Sequence, residues 1–211
     1  MTDTADFVLN GIWLSGPTYK VGLMLSLCGA PFAFRAIDLR GGEQRTPEFQ
    51  AKTPFGQVPV LEHAGRTFAQ SAAILEYLAT TLGRFGGADA VERAEISAWM
   101  FWDFDRLAPG IFRTRAIRLG FMKVDDAVLA HFVGVGELAL GILERRLTGR
   151  DWLVGTAPTI ADIDVYGVIA FAGEAGFDLA AYPAISAWKA RFEALPGWGT
   201  NETILPKAST V

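Results

Sequence analysis

Thr53-Pro-Phe-Gly-Gln-Val-Pro-Val-Leu-Glu62, followed shortly by Gln70-Ser-Ala-Ala-Ile-Leu-Glu-Tyr-Leu78, decides the fold of this chain. It sets a proline, Pro59, where a β-strand should begin and a Gln-Ser pair where a helix should begin. A strand tolerates proline at its first residue, because that edge needs no ladder donor there. A cis Val58-Pro59 bond would also turn the Val58 N–H and C=O outward, where an extended peptide could pair with them as a short added strand. At the second place, the N–H groups of a helix N-terminus attract a carboxylate, and Gln70 can donate or accept a hydrogen bond beside it. The simpler roles are a strand-start proline and a capping serine, Ser71.

Upstream, residues 7–14 read as a strand. Ser15-Gly16-Pro17 then opens a helix, with Pro17 suited to its first turn. Val21, Leu25 and Cys28 recur at helical spacing and mark its core face, and Gly29 and Pro31 end it. Phe32 to Leu39 is a second strand, so the segment is a βαβ unit with a parallel pair. Gly41 to Lys52 is polar, a loop with a short helix. Val58–Glu62 and Arg66–Ala69 flank His63-Ala-Gly65 as a hairpin. Ser71 can cap the next helix, whose core face carries Ile74, Leu75, Leu78 and Leu82.

Downstream the texture changes. The order βαβ then ββα predicts a small α+β domain over 1–82, residues 83–88 a linker, and 89–211 an all-helical domain. Residues 90–118 form one long helical segment, bent near Pro109-Gly110. Residues 125–147 form another, with Leu129, Phe132, Leu140, Leu143 and Leu147 inward. Thr159-Ile-Ala-Asp162 is an N-cap pattern with Asp in the place of Glu or Gln. A helix of about four turns should follow it, and residues 183–194 make a last helix stopped by Pro196-Gly197.

Composition narrows the function classes. The 211 residues are 51% hydrophobic and carry a formal net charge of −4, with no Lys/Arg cluster of the kind that binds nucleic acid. The start, Met-Thr-Asp-Thr-Ala-Asp, is acidic and unlike a signal peptide. The apolar run near Val165 to Gly173 is too short to span a bilayer. The expectation is a cytoplasmic protein with no membrane partner. One cysteine leaves no internal disulfide and no CxxC dithiol, and with two histidines it argues against a zinc site. No metal is expected.

Ser15 sits at the first strand-to-helix junction. Its hydroxyl could donate to a thiolate, helped by the positive end of the helix behind it; it could equally be a cap. Thr18, within one turn, is a second candidate donor.

Taken together, these motifs resemble the cytosolic glutathione transferases over essentially the whole chain. Pro54-Phe-Gly-Gln-Val-Pro59 is similar to the family's Asn-Pro-x-Gly-x-Val-Pro segment. Gln70-Ser71 resembles its Glu/Gln-Ser pair, Ser15-Gly-Pro-Thr-Tyr-Lys-Val21 the first-helix motif of its serine-type, bacterial members, and Thr159–Asp162 its C-domain capping motif. The resemblance implies a thioredoxin-like N-terminal domain, an all-α C-terminal domain and a homodimer. It implies glutathione as co-substrate: Val58, before a cis Pro59, on the cysteinyl backbone; Gln70 and Ser71 on the γ-glutamyl end; Gln57 near the glycine end; Ser15 on the sulfur. The reaction implied is conjugation of the thiolate to a small hydrophobic electrophile, the chemistry of detoxification. Related bacterial sequences often carry Asn where this chain has Pro17, so Ser15 would act alone. Cys28, on the core face, leaves the protein without a reactive thiol of its own. Two other readings are a glutathione-dependent disulfide or peroxide reductase, and a non-catalytic binding or assembly protein on the same fold. A second-substrate pocket is expected from Trp13 and Leu14 on one side and Trp102, Arg106, Phe112, Arg113 and Arg115 on the other, although core packing and surface ion pairs are the plainer roles for these residues.

Overall fold

The computed structural model describes residues 6–211, so the acidic start read above as unlike a signal peptide lies outside the described residues, Asp6 apart. The chain folds as two compact units. One runs through Arg84 and takes in Leu195–Val211; the other is Phe85–Ala194.

The first unit is built on a four-stranded sheet in the order β2-β1-β3-β4, with β1 Phe7–Gly11, β2 Phe32–Ala36, β3 Val60–His63 and β4 Arg66–Ala69. β1 and β2 are parallel, joined through α1 (Gly16–Leu27); β3 runs antiparallel to both β1 and β4. This is the thioredoxin-like arrangement. Register explains its two faces. Leu9 lies opposite Phe34 and Leu61, all fully buried on one face. Asn10 lies opposite Arg35 and Val60 on the other, where Phe49 of the short α2 (Pro47–Gln50) packs with Val60 and Ile37. A polar cluster shares that second face. Asn10, Arg35 and Lys52 all donate to Glu62 Oε1, at 2.9, 3.1 and 2.7 Å. Burial works against the Glu62 charge, but the bonds from Lys52 and Asn10 and the charges of Lys52 and Arg35 outweigh it and hold its carboxyl below the usual range.

The helix α3 (Ser71–Leu82) buries Ile74, Leu75 and Leu78 and ends at Gly83 in the left-handed region. The β3–β4 hairpin is fastened to it: Tyr77 lies within 2.6 Å of His63 Nδ1 and stacks on Phe68.

In the second unit, α4 (Ala90–Trp102) continues without a break into two wide turns, Asp103–Leu107 and Pro109–Arg113, and then α5 (Thr114–Arg118). The sequence predicts a bend near Pro109, and there the backbone widens to i→i+5 pairing on both sides of a residue that has no N–H to give. Gly110 there faces Gly136 of α6 (Asp126–Leu147), where a Cβ on Gly110 would come within 2.5 Å of the Gly136 Cα. Two glycines therefore allow the closest part of the crossing. By length and composition α6 is the one helix among the described residues that could cross a membrane; Gly136, Ala139, Leu140, Leu143 and Leu147 are buried inside the unit.

Thr159 caps α7 (Ile160–Ile169), which is shorter than the four turns expected. Asp162 closes the capping box and does more. It accepts from the Thr159 N–H (2.9 Å) and Thr159 Oγ1 (3.2 Å), from the Leu153 N–H (3.0 Å) and from Trp188 Nε1 on α8 (Pro183–Glu193; 2.9 Å).

Three further details differ from the sequence reading. Residues 195–211, expected with the helical domain, belong to the first unit: Leu205 is fully buried there, and a short helix α9 (Asn201–Ile204) precedes it. Cys28 is the half-buried C-cap of α1 rather than a core residue, and Leu82 is also half-buried.

Candidate functional site

Three chain segments of the first unit present polar groups that the fold leaves open. The first is the junction of β4 and α3. No loop residue separates them except Gln70, so a single residue must turn the chain from strand into helix. Gln70 does so at φ 68° and ψ 116°, a conformation that side-chain-bearing residues rarely adopt. Pairing of Ala69 with Val60 on one side and burial of Ile74 on the other hold it there. Strain of this kind is characteristic of ligand clamps. Gln70 is the N-cap, yet its side chain makes no capping bond; Nε2 donates instead to Gln57 Oε1 at 3.1 Å. Ser71 is the first residue inside the helix and not its cap, contrary to the sequence expectation. The N-terminus of α3 is thus uncapped by any side chain and half-exposed, the condition under which its N–H groups can take a carboxylate.

The second segment precedes β3. The Val58-Pro59 bond is cis. Pro59 is buried, Val58 half-buried and Gln57 exposed. No hydrogen bond joins the Val58 main chain to another described residue. Its donor and acceptor are free for an extended peptide backbone.

The third is the turn between β1 and α1. Ser15 donates its N–H to the Ile12 carbonyl (3.1 Å), and its Oγ accepts from the Thr18 N–H (3.2 Å), capping α1. The cap and the proposed donor role are compatible: the bond uses a lone pair of Oγ and leaves the O–H to donate elsewhere. The half-exposed position of Ser15 permits that. Thr18 is different. It is fully buried, and its Oγ1 has no hydrogen-bond partner. It packs beneath Gly11, where a Cβ would lie 2.3 Å from Thr18 Cγ2. Glycine at 11 makes room for Thr18, and Thr18 faces inward.

Of the residues expected to meet a second substrate, Trp13 and Leu14 lie in the turn that leads to Ser15. Within the second unit, Trp102 packs edge-on against Trp99, and Phe112 edge-on against Phe171. Arg106 pairs with its exposed neighbour Asp105, and exposed Arg113 touches the Met122 sulfur at 3.8 Å. Arg115 is buried, bonded to Glu174 and stacked over Phe171, so it is structural.

Burial pushes the Cys28 thiol up, against the opposite pull of Arg84. Reactive cysteines show the reverse. Among the described residues no group of three or more His, Cys, Asp or Glu could hold a metal. Sequence reasoning missed the bond from Gln70 to Gln57 and the unusual backbone of Gln70. Only the lack of any loop residue between the hairpin and the helix hinted at the latter.

The family profile for the glutathione S-transferase N-terminal domain matches residues 17–81, and that for the C-terminal domain residues 123–196. A crystal structure of a possible glutathione S-transferase from Rhodopseudomonas palustris is 38% identical, with a TM-score of 0.86 over 93% of this chain and 90% of that one. A family member from Pseudomonas fluorescens Pf-5, solved with two glutathione bound, is 25% identical, with a TM-score of 0.81 over 93% and 92%. The maleylacetoacetate isomerase of Rhizobium meliloti strain 1021 is 31% identical over 189 residues, 85% of this chain and 88% of that one. The disulfide-bond oxidoreductase YfcG of Escherichia coli K12 is 27% identical over 188 residues, 86% and 87%.

Proposed function

The chain belongs to the glutathione S-transferase family, and from that premise we propose that it is a serine-type transferase that joins the glutathione thiolate to a small hydrophobic electrophile. The observation that carries the reading is the set of open groups in the first unit. Val58 offers a free main-chain donor and acceptor beside cis Pro59, Gln70 and Ser71 stand at an uncapped helix end, and Ser15 keeps a free O–H at the start of α1. In this reading Val58 pairs with the cysteinyl backbone, Gln70 and Ser71 hold the γ-glutamyl carboxylate, Gln57 meets the glycine end, and Ser15 donates to the sulfur.

The chemistry asked of Ser15 is modest. A free thiol with a pKa of about 8.5 is only about 3% thiolate at pH 7. One charge-assisted hydrogen bond lowers that by about one to two units, and two units raise the thiolate population about 25-fold. Nucleophilicity falls with pKa and takes back about eightfold. The net gain is a few-fold, so most of the acceleration must come from holding the thiolate beside the electrophile in a water-poor site. Placement by Val58, Gln70 and Ser71 therefore matters to rate at least as much as ionisation by Ser15. Trp13, Leu14, Trp102, Arg106, Phe112 and Arg113 remain our candidates for the acceptor side.

Exposed Phe101, Phe104 and Leu138 on the second unit support a homodimer, which we take to be cytoplasmic. A second reading has one observation in its favour, the likeness to a disulfide-bond oxidoreductase. Since Cys28 is half-buried with its thiol pushed up, reductase chemistry here would draw every thiol from bound glutathione. Retention on immobilised glutathione, then turnover assays with an aryl halide and with a small disulfide, test both. Turnover of the halide and not the disulfide is expected. A folded protein that neither binds glutathione nor turns over either substrate would leave the non-catalytic reading in place.

A further inference from the structure

Residues 195–211 return to the first unit after the helical unit is complete and strap its surface. Their anchors lie on both sides of α9. Before it, Tyr19 Oη donates to the Gly199 carbonyl (2.7 Å) and Ser26 Oγ to the Gly197 carbonyl (2.6 Å). After it, Leu205 is fully buried over Gly22, where a Cβ would come within 2.8 Å of the leucine side chain. Farther on, the Thr210 N–H donates to the Phe34 carbonyl (2.8 Å). Thr210 Oγ1 and Ser209 Oγ accept from the Phe34 and Ala36 N–H groups, at 2.8 and 2.9 Å, along β2.

Between these anchors the strap grips one residue twice. Asn201 Nδ2 donates to the Trp13 carbonyl at 3.1 Å, and Lys207 Nζ lies 4.6 Å from the centre of the Trp13 ring. Trp13 occupies the turn that the Ser15 N–H closes onto the Ile12 carbonyl, two residues before the hydroxyl. Main chain and side chain of Trp13 are thus both held by a segment distant in sequence. Loosening those two grips would loosen the turn, and Ser15 Oγ would move with it.

We propose that the C-terminal strap is a positioning device for Ser15, with Asn201 and Lys207 as its positioning residues; this rests on the reading of Ser15 as the donor to the glutathione sulfur. Neither residue touches the tripeptide in that reading. The strap fixes the turn, the turn fixes the Ser15 backbone, and the Thr18 N–H fixes its oxygen.

The test compares wild type with Asn201→Ala, Lys207→Met, the double variant, Lys207→Arg and Ser15→Ala. Hydrogen exchange over residues 12–18, read without ligand, should quicken about tenfold in the double variant, the mark of a loosened local unit. The bound glutathione thiol, titrated by ultraviolet absorbance, should rise by about half a unit, part of the Ser15→Ala shift. With an aryl halide, kcat should fall about threefold or more while KM for glutathione stays within about twofold, because only the sulfur end is disturbed. Lys207→Arg, which keeps a cation over the ring, should behave as wild type. Unchanged exchange and an unchanged thiol titration in the double variant, with Ser15→Ala still shifting the thiol, would overturn the strap's role and leave the underlying reading intact. No shift on Ser15→Ala would overturn both.

Discussion

The N-termini of α7 and α3 are two ways to finish the same structural problem. At α7 every local donor is answered from within: Thr159 caps, and Asp162 gathers the Thr159 and Leu153 N–H groups and the Trp188 indole in a fully buried knot. At α3 nothing local answers. Gln70 turns its side chain to Gln57, Ser71 sits inside the helix, and the backbone at Gln70 is held in an unfavourable conformation. The first end is complete from within, while the second leaves polar groups open, which we assign to glutathione. The α1 end stands between them, since Ser15 both caps and keeps a hydroxyl proton to give.

The largest effect expected from breaking this contrast is at the closed end. Asp162→Ala should destabilise the protein by about 3–5 kcal/mol in urea titrations, because three buried N–H donors lose their acceptor. Burial pushes the Asp162 carboxyl up, while the bonds from Leu153, Thr159 and Trp188 pull it down, so Asp162→Asn, which keeps one acceptor oxygen, should cost less. Glutathione affinity of the folded fraction should not move in either variant.

At the open end the signs should separate. Gln70→Gly relieves the positive φ and should stabilise the fold by about 1 kcal/mol. The same change should weaken glutathione binding about tenfold or more, read by calorimetry, since it removes a side chain that we assign to the γ-glutamyl end. Ser15→Ala should do both kinds of damage moderately. It should lose about 1 kcal/mol of stability as a cap and raise the bound thiol by about one to two pKa units. Ser71→Ala should cost less than about 0.5 kcal/mol of stability, as it caps nothing, yet lower glutathione affinity about tenfold.

The smallest effect expected is in acid. The Glu62 carboxyl is held below its unfolded value, so its contribution is fully present above about pH 4.3 and fades as pH falls through the folded value. Glu62→Gln should lower stability slightly across the neutral region, where that contribution is present, and so flatten the acid limb of the stability profile; the loss is small because the site is partly exposed.

How much of this was legible in the sequence depended on the range of the interaction. The Thr159–Asp162 box could be read because its partners are three residues apart, and the βαβ–ββα order because it follows from local periodicity and turn residues. The open end at α3 was found as a Gln-Ser pair, but Ser71 was cast as its cap. The limits read from sequence already leave a single residue between β4 and α3; what no local pattern shows is that the whole turn falls on Gln70, which takes the cap position and moves Ser71 inside the helix. Thr18 reads from sequence as a second candidate donor behind Ser15, and only the packing beneath Gly11 shows that it faces inward. The strap was missed for the same reason: Asn201 and Lys207 meet Trp13 from the far end of the chain, and no local pattern records that.

The most direct test of the central claim is calorimetric titration of glutathione into wild type, Gln70→Gly and Asp162→Asn. The account predicts that wild type binds, that Gln70→Gly is more stable but binds about tenfold more weakly, and that Asp162→Asn is less stable but binds as wild type does. A Gln70→Gly protein that binds glutathione as tightly as wild type would contradict it.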